Sequence, residues 1–300
     1  MLPRIVKRFF EASRSPSAVN VVGSYRMGIV GVFPTIFIIS ALLLAPAVFA
    51  LWLSVFDNGW TFRGFRALLG DTSFLASLGT SLWYSTLTVF LQLAVGTFAA
   101  AVVHRMRHLS GVIAWLVFIP YAVPSVVAVV GWKFLVLDHA AGPAMLEQLF
   151  GVRAQAWMGD RIVWTLVAVS IWQFYPFVFL SILARMRRIP PALYRSAELD
   201  GANDWQQFKS LTFPSIKGTL LTVAVLRFAF MFSKFDTPWL LGGSTANEAV
   251  QTLPVYIYQN MGMDLHFKTG IAAAVVMALI LFVVIMTVLV LNVLLGSRRS

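Results

Sequence analysis

The chain has 300 residues and a formal net charge of +11, yet only 12% of its residues are charged and 59% are hydrophobic. Roughly a quarter of the residues in a soluble domain are charged, so this composition excludes an ordinary soluble protein. The chain has no cysteine, which excludes a disulfide framework, a thiol nucleophile and a cysteine-based metal site. Apolar runs of about 18 residues or more recur without the alternation of barrel strands. The sequence therefore predicts an all-α, polytopic membrane protein.

In chain order, the apolar runs predict six membrane spans, at about residues 29–54, 78–103, 111–134, 162–183, 218–235 and 269–295. The third span contains Pro120 and Pro124, which free backbone carbonyls and are expected to shape a kink. The fifth span is short and contains Arg227, so we expect it to be shielded from lipid. Together the spans form one transmembrane domain at residues 29–295.

Basic residues concentrate on one side of these spans, whereas the loops on the other side hold only Arg63, Arg66, Arg153 and Lys268 away from the span edges. One set of loops and tails carries the basic side chains Arg4, Lys7, Arg8, Arg14, Arg26, Arg105, Arg107, Arg185, Arg187, Arg188, Arg195, Lys209, Lys217, Arg298 and Arg299. The other set carries the acidic side chains Asp57, Asp71, Asp138, Glu147, Asp160, Asp236, Glu248 and Asp264. Because Lys and Arg concentrate on cytoplasmic loops, we expect both tails, 1–28 and 296–300, to be cytoplasmic. Residues 184–217, called the polar loop below, are then the longest internal cytoplasmic loop.

The polar loop has the pattern of two short helices joined by a turn. The pair Pro190–Pro191 suits the entry of a helix, and Gly201 permits the backbone conformation that ends one. Asn203 or Asp204 can cap the second helix, which Pro214 is expected to stop. A projecting hairpin of this kind suits docking of a partner protein, and it equally suits a helix resting on lipid headgroups.

Four motifs occur in the order found in one family of membrane proteins. The first, IPPALYRSAELDGANDWQQFKSLTFPSI, resembles the EAA loop of ABC importer permeases, with matches at Ala197, Asp200, Gly201, Ala202 and Pro214. Three further motifs are similar to segments of the carbohydrate permeases in that family. They are FIPYAVPSVVAVVGWKFL (118–135), IWQFYPFVFLSILARMRRIPPALY (171–194) and FSKFDTPWLLGGSTANEAVQTLPVYIYQNMG (232–262). The chain therefore resembles a permease subunit of the binding-protein-dependent carbohydrate uptake family, of the maltose or glycerol-phosphate type.

The resemblance implies that the polar loop carries a coupling helix that docks on a cytoplasmic ATPase. The residues implied in coupling are Tyr194, Arg195, Ser196, Ala197, Glu198, Asp200, Gly201 and Ala202. This chain departs from the motif because Arg195 replaces its usual acid and Ser196 its first alanine. Glu198 is three residues after Arg195 and lies on roughly the same face of the helix. Either Glu198 or a compensating acid of the partner could restore the missing charge.

Polar side chains within the spans predict a substrate pathway, because such groups usually face a cavity or a partner. Arg227, Met231 and Lys234 share one face of the fifth span. With the positions implied by the resemblance, the pathway residues are Trp172, Gln173, Phe177, Arg227, Met231 and Lys234. Two cations on one face are compatible with an anionic solute. The alternative is a structural Arg227 that pairs with a carbonyl or an acid of the other permease subunit.

The resemblance also implies the partners of the chain. They are a second homologous permease, two copies of an ATPase subunit that binds ATP and Mg, an external solute-binding protein, membrane lipid and a sugar-like solute. No nucleic acid, cofactor or metal is expected. The residues implied in docking of the binding protein are Asp236, Trp239, Gly242 and Gly243. The expected location is a bacterial or archaeal plasma membrane.

Two other functional classes are weighed against this interpretation. An ion-coupled secondary transporter would act without an ATPase, but inverted repeats are not evident and the acids lie mainly in loops. An intramembrane enzyme is disfavoured because the sequence has no HExxH or GxSxG motif. The sequence also lacks a GxxxxGK[ST] loop, so we expect a separate subunit to hydrolyse ATP and this chain not to be an enzyme.

Overall fold

The computed structural model describes residues 17–56, 59–106, 110–136, 141–150, 161–242, 248–263 and 266–296. The helices in these ranges are α1 (Ser17–Val55), α2 (Arg63–Gly70), α3 (Thr72–Arg105), α4 (Ser110–Ala122), α5 (Ser125–Val136), α6 (Ala141–Phe150), α7 (Ile162–Met186), α8 (Pro191–Leu199), α9 (Asp204–Gln207), α10 (Phe213–Phe232), α11 (Asp236–Gly242), α12 (Leu253–Tyr258) and α13 (Phe267–Gly296). π-Helical turns lie at Phe208–Thr212 and Gln259–Met263, and a 3₁₀ turn at Glu248–Val250.

The described helices confirm the predicted polytopic, all-α fold. By length and apolar composition, five helical segments in the described ranges could cross a membrane, or six if the bent pair α4 and α5 counts as one span. These segments coincide with the six predicted spans. The short helices α6, α11 and α12 lie in the long loops between spans.

Helix α1 belongs to a separate unit that ends at Trp60. It is 39 residues long, so the boundary predicted at residue 28 falls within a helix. The segment Val32–Val55 has a mean hydropathy of 2.6, and none of its most apolar window is buried. A helix that is apolar on all sides fits a membrane span. Residues 1–16 and 297–300, which form most of the two predicted tails, lie outside the described residues.

The second unit is built around the packing of α3 against α7. The apolar side chains of Ala100, Val178, Phe179 and Ile182 are completely buried in this contact. Gly96 makes the close approach possible, since a Cβ there would lie 2.7 Å from Cβ of Val178 and 3.0 Å from the backbone nitrogen of Phe179. Helix α10 packs on both helices and buries Ile216 and Val223 in the same core.

The third span is broken rather than straight. Helices α4 and α5 meet at an angle of 88°, where Pro124 can neither donate a backbone hydrogen bond nor continue the helix. The Nε2 of Gln173 donates to the carbonyl of Val123 at 3.0 Å. This bond satisfies a carbonyl near the break, as a hydrocarbon environment requires. The expected kink at Pro124 is thus a break in the helix.

The carboxylate of Asp71 joins the start of α3 to helix α12. One oxygen caps α3 by accepting hydrogen bonds from the backbone of Ser73 and Phe74. The other accepts a hydrogen bond from the hydroxyl of Tyr256 at 2.5 Å. Burial and this carboxylate raise the pKa of the Tyr256 phenol above its usual value. Helix α12 is therefore fixed at the start of α3.

The polar loop forms the predicted hairpin, but the expectation that Pro214 ends its second helix is wrong. Helix α9 continues through the π-helical turn into α10, and Pro214 lies in the first turn of α10. In the π-helical turn the N–H of Phe213 donates to the carbonyl of Phe208, five residues back. The inserted residue shifts the hydrogen-bond ladder, and a proline is tolerated where a new helical turn begins.

We predict that Gly96→Ala lowers the midpoint of thermal unfolding, because the added methyl group would force α3 and α7 apart. Overpacking of this kind costs about 1–3 kcal/mol. Thermal unfolding of the purified chain in detergent measures the effect. Gly79→Ala is the matched control, since a Cβ at Gly79 in the same helix meets no atom within 4 Å. Equal midpoints for the two variants would contradict the close approach.

Candidate functional site

The centre of the helix bundle contains a cation, Arg227, that is only 4% exposed. Its Nε donates to Oε1 of Gln92 at 3.0 Å. The guanidinium carbon lies 4.7 Å from the ring centroid of Phe174 and 5.9 Å from that of Phe177, within the range of cation–π attraction. No carboxylate of the described residues pairs with Arg227, and its Nη2 has no hydrogen-bond partner there. The charge is thus held by an amide and two aromatic faces.

Gln92 is held by two further neighbours. Its Nε2 donates to the backbone carbonyl of Ser170 at 2.9 Å and lies 3.6 Å from the sulfur of Met231. The hydroxyls of Tyr84 and Ser170 are 2.7 Å apart. Because the amide nitrogen is engaged by a carbonyl, the amide oxygen must face Arg227.

A second cation, Lys234, lies just beyond the end of α10. Its Nζ pairs with Asp236 at 2.9 Å, donates to the hydroxyl of Ser125 at 3.0 Å and lies 4.6 Å from the centroid of Phe174. Phe174 is therefore in contact with both cations. Gln173 donates to Ser125 at 3.3 Å, so Lys234 and Gln173 both reach the beginning of α5 at the break in the third span.

The ion pair with Lys234 changes the titration of Asp236. Burial opposes the charged carboxylate, but the hydrogen bond and charge of Lys234, with the N–H of Thr237, outweigh this effect. The net result lowers the pKa of Asp236 below its usual value.

The structure brings most of the predicted pathway residues together, but inside the chain rather than along an open surface. Gln173, Arg227 and Met231 are buried, whereas Phe177 and Lys234 are half-buried. Trp172 is half-buried and packs edge-on against Trp132 at 5.8 Å.

The predicted pathway residues do not include three side chains that the structure places around the two cations. They are Phe174, which contacts both cations, Ser125, which binds Lys234, and Gln92, which holds Arg227. Gln92 carries a sequence signal because it is a polar residue within an apolar span. Phe174 and Ser125 carry none, since their position depends on how the spans pack.

The residues predicted to dock a binding protein lie in and after α11. Trp239 packs on Phe235 at 5.7 Å and on Tyr258 at 5.1 Å, and it is half-buried. Gly242 lies against Val250, because a Cβ there would be 2.8 Å from that side chain. Gly243 lies outside the described residues. Asp236 pairs with Lys234. The mutually packed rings of Phe235, Trp239 and Tyr258 are called the aromatic cap below.

The predicted coupling residues lie on the hairpin formed by α8 and α9. Arg195, Ser196, Glu198, Asp200 and Gly201 are exposed, whereas Tyr194, Ala197 and Ala202 are partly covered. The backbone of Ala202 donates to the carbonyl of Ala197 at 2.9 Å and closes the turn. Gly201 has a φ of +78°, a left-handed conformation that favours glycine.

The tip of the hairpin also presents an apolar side chain that is not among the predicted coupling residues. Leu199 is 89% exposed and immediately precedes Asp200 at the turn. Trp205, on the second helix, is 69% exposed and stacks on Phe208 at 5.8 Å. Exposed apolar groups beside a polar turn are typical of a protein-binding surface.

The hairpin is fixed to the ends of the long helices. Arg105, the last residue of α3, forms an ion pair with Asp204 and donates to its backbone carbonyl at 3.1 Å. Arg185 donates to the backbone carbonyl of Ser215 at 3.0 Å. The hydroxyls of Tyr194 and Thr212 are 2.9 Å apart. The hairpin is therefore bonded to the end of α3 and to the turn that begins α10, and Arg185 joins the end of α7 to the start of α10.

A helical bundle with a buried polar cluster and an exposed hairpin at one end fits the membrane component of a transporter. The family model described as "Binding-protein-dependent transport system inner membrane component" matches residues 92–299. The chain belongs to this family, and it is a membrane-spanning permease subunit of an ABC importer. Because the chain belongs to this family, the alternative of an ion-coupled secondary transporter is rejected. The chain is a transporter component of the inner membrane.

Several named relatives are similar over most of the chain. Permease protein YcjO of Escherichia coli K12 is 32% identical over 229 residues, which cover 73% of this chain and 75% of the relative. The trehalose/maltose permease MalF of Thermococcus litoralis is 26% identical over 282 residues, 89% of this chain and 93% of the relative. The sn-glycerol-3-phosphate permease UgpA of Yersinia enterocolitica is 30% identical over 264 residues, 83% and 88% of the two chains.

A solved structure shares the fold. A chain of a bacterial ABC transporter for the import of the acidic polysaccharide alginate superposes with a TM-score of 0.81 at 20% identity. The match covers 94% of this chain and 99% of the other. At this identity the likeness establishes the fold alone.

We predict that Asp236→Asn lowers the midpoint of thermal unfolding at neutral pH, because Lys234 loses its counter-ion. The folded pKa of Asp236 is depressed, so the carboxylate stabilises the fold above its unfolded pKa of about 3.9. That contribution is lost as the pH falls through the folded pKa. The difference between the variant and the unaltered chain should therefore be largest near neutral pH and should shrink below about pH 4. A difference that is independent of pH would contradict the ion pair, and the exposed Asp200→Asn serves as control.

Proposed function

We propose that this chain forms half of the pathway that carries a sugar or sugar-like solute inward, in a complex powered by a separate ATPase. The observation that supports the proposal is the exposed hairpin of α8 and α9, which is bonded to the end of α3 and to the π-helical turn that leads into α10. The complex contains a second homologous permease, two ATPase subunits that bind ATP and Mg, and an external binding protein. The named substrates of the relatives, trehalose, maltose and glycerol 3-phosphate, support a sugar-like solute.

The hairpin is the surface that docks on the ATPase. Its tip combines the exposed Leu199, the left-handed Gly201 and small neighbouring residues, so a partner groove can enclose it closely. Arg195 and Glu198 are both exposed on α8, and Glu198 supplies the acid that Arg195 displaces. The basic residues at this end of the bundle support an orientation with both termini in the cytoplasm.

The pathway follows the cluster around Arg227 and Lys234. Import occurs by alternating access, in which ATP binding and hydrolysis move the hairpin and the helices attached to it. Asp236 neutralises the charge of Lys234. Arg227 and Lys234 therefore do not act together as a binding site for an anion. This pairing favours a solute recognised by aromatic faces and hydrogen-bonding groups over one recognised by a pair of positive charges. The aromatic cap around Trp239 is the region where the binding protein docks.

Co-purification of the tagged chain from the membranes of its own host tests the assembly. We expect a P-loop ATPase and a second permease to accompany the chain, and ATP hydrolysis in the purified complex. The co-purified or co-encoded binding protein can then be screened with neutral and acidic sugars. A chain that is isolated alone and moves solute without ATP would overturn the proposal.

We predict that Gly201→Asn leaves the chain in the membrane but reduces solute-dependent ATP hydrolysis at least about tenfold. Asparagine tolerates the left-handed backbone, so the loss would come from bulk at the docking surface. Gly201→Val should lose activity for both reasons, backbone strain and bulk. Gly218→Ala is the control, since a Cβ at this exposed glycine of α10 also meets no atom within 4 Å. Full activity of Gly201→Asn would show that no partner approaches this turn closely.

A further inference from the structure

Helix α2 is a short helix whose buried side is fixed to the membrane bundle. Gly64 and Leu68 are one helical turn apart and both are buried. Leu68 belongs to the same apolar core as Phe232 of α10. Gly64 lies directly against α13, because a Cβ there would be 2.8 Å from the backbone oxygen of Lys268. Helix α2 is therefore held in place beside the first turn of α13.

This contact places α2 at the level where α13 enters the membrane. Lys268 is the last charged residue before an uncharged run that extends to Ser297, and the segment Phe267–Val290 has a mean hydropathy of 3.2. About 20 apolar residues cross the hydrocarbon core, so the first turn of α13 lies near one membrane surface. Helix α2 is also joined to the start of α3 through Asp71 alone. It therefore adjoins the ends of two spans, at the depth of the lipid headgroups.

The side of α2 that faces away from the bundle combines large apolar groups with positive charge. Phe62, the residue before the helix, is 59% exposed, and Leu69 is 76% exposed. Arg63 and Arg66 are also exposed, and neither pairs with a carboxylate of the described residues. A helix that lies in a membrane surface presents both kinds of group, apolar side chains to the acyl chains and basic side chains to the headgroups.

The two arginines depart from the distribution of charge along the chain. Basic residues are scarce in the loops on this side of the spans, and two of the few that occur there are Arg63 and Arg66. Arginine on the outer side works against the usual orientation of a membrane protein. Because these side chains form no ion pair within the described residues, a contact inside the chain does not account for them. Phospholipid phosphates supply the complementary charge at this depth, and the planar guanidinium binds phosphate with two parallel hydrogen bonds.

We propose that α2 is a lipid-binding helix, which places Phe62 and Leu69 among the acyl chains and binds the phosphates of anionic phospholipids through Arg63 and Arg66. The inference takes from the proposed function only the outer location of this end of the bundle, and it does not depend on the solute. Since α2 leads into Asp71, which joins α3 to α12, the bound lipid holds these helix ends at a fixed depth.

Labelling of single cysteines tests the position of α2. The chain has no cysteine, so a fluorophore on Leu69→Cys or Ala67→Cys reports from one site of the full chain in phospholipid vesicles. Ala67 is exposed and lies on the opposite flank of the helix from Leu69, because two residues correspond to roughly half a turn. Ala67→Cys is therefore the matched control.

The probes are a lipid with a nitroxide near its headgroup and soluble iodide. We expect the lipid nitroxide to quench the label on Leu69→Cys at least about threefold more strongly than the label on Ala67→Cys, and iodide to show the reverse order. Quenching of Leu69→Cys by iodide alone would mean that α2 stands in water. Quenching by neither probe would mean that another protein segment covers this flank. Either result would overturn the inference.

A second measurement tests the headgroup. In the labelled Leu69→Cys chain at low salt, nitroxide-bearing phosphatidylglycerol should quench at a mole fraction about fivefold lower than nitroxide-bearing phosphatidylcholine does. Replacing both arginines, Arg63→Gln with Arg66→Gln, should abolish this preference and leave quenching by phosphatidylcholine unchanged. Arg63→Lys with Arg66→Lys keeps both charges and should retain a preference for phosphatidylglycerol. A preference that survives the loss of both charges would refute the phosphate site.

These measurements are separate from the test of the transport function. If no ATPase accompanies the chain on purification, the proposed function fails, and the quenching results still decide whether α2 contacts lipid. If the ATPase is bound but Leu69→Cys is not quenched by the lipid nitroxide, the inference fails and the proposed function stands.

Discussion

The burial of one positive charge within a membrane bundle constrains most of this structure. Arg227 could be accommodated in α10 only if neighbouring helices supplied an amide oxygen and aromatic faces at the same depth. Gln92 on α3 and Phe174 on α7 do so, and this requires the three helices to be closely packed. The glycine at position 96 permits that packing on one side. On the other side, the break after Ala122 places the carbonyl of Val123 against Gln173 and the hydroxyl of Ser125 against Lys234.

The elements of the fold were predictable from sequence to the extent that they obey local rules. Membrane spans are long apolar runs, and six such runs appear as helices or as a bent pair. The hairpin was predictable from the residues that begin and end its helices. Pro191 lies at the first helical position, Gly201 forms a left-handed turn and Asn203 caps the second helix. Shielding of Arg227 from lipid followed from its charge, and its 4% exposure agrees with this expectation.

What the sequence did not predict depends on contacts between distant segments. The pairing of Lys234 with Asp236 competes with a role for either residue in binding an anion, and only the backbone geometry after α10 decides between them. Phe174 is one of many phenylalanines, and nothing in its neighbours marks it as the ring between two cations. The π-helical turn that carries the chain past Pro214 is a local change of register, and helix-ending rules do not anticipate it.

The same π-helical turn has a mechanical consequence. Helix α9, the π-helical turn and α10 follow one another without an intervening loop from Asp204 to Phe232. The hairpin and the centre of the bundle are therefore joined by one continuous helical segment. Asp204 and Arg227 are separated by about 35 Å along such a helix, at about 1.5 Å per residue. If this segment pivoted by one degree about Asp204, its backbone at Arg227 would shift by about 0.6 Å, so small rotations at the hairpin would produce ångström displacements in the centre of the bundle.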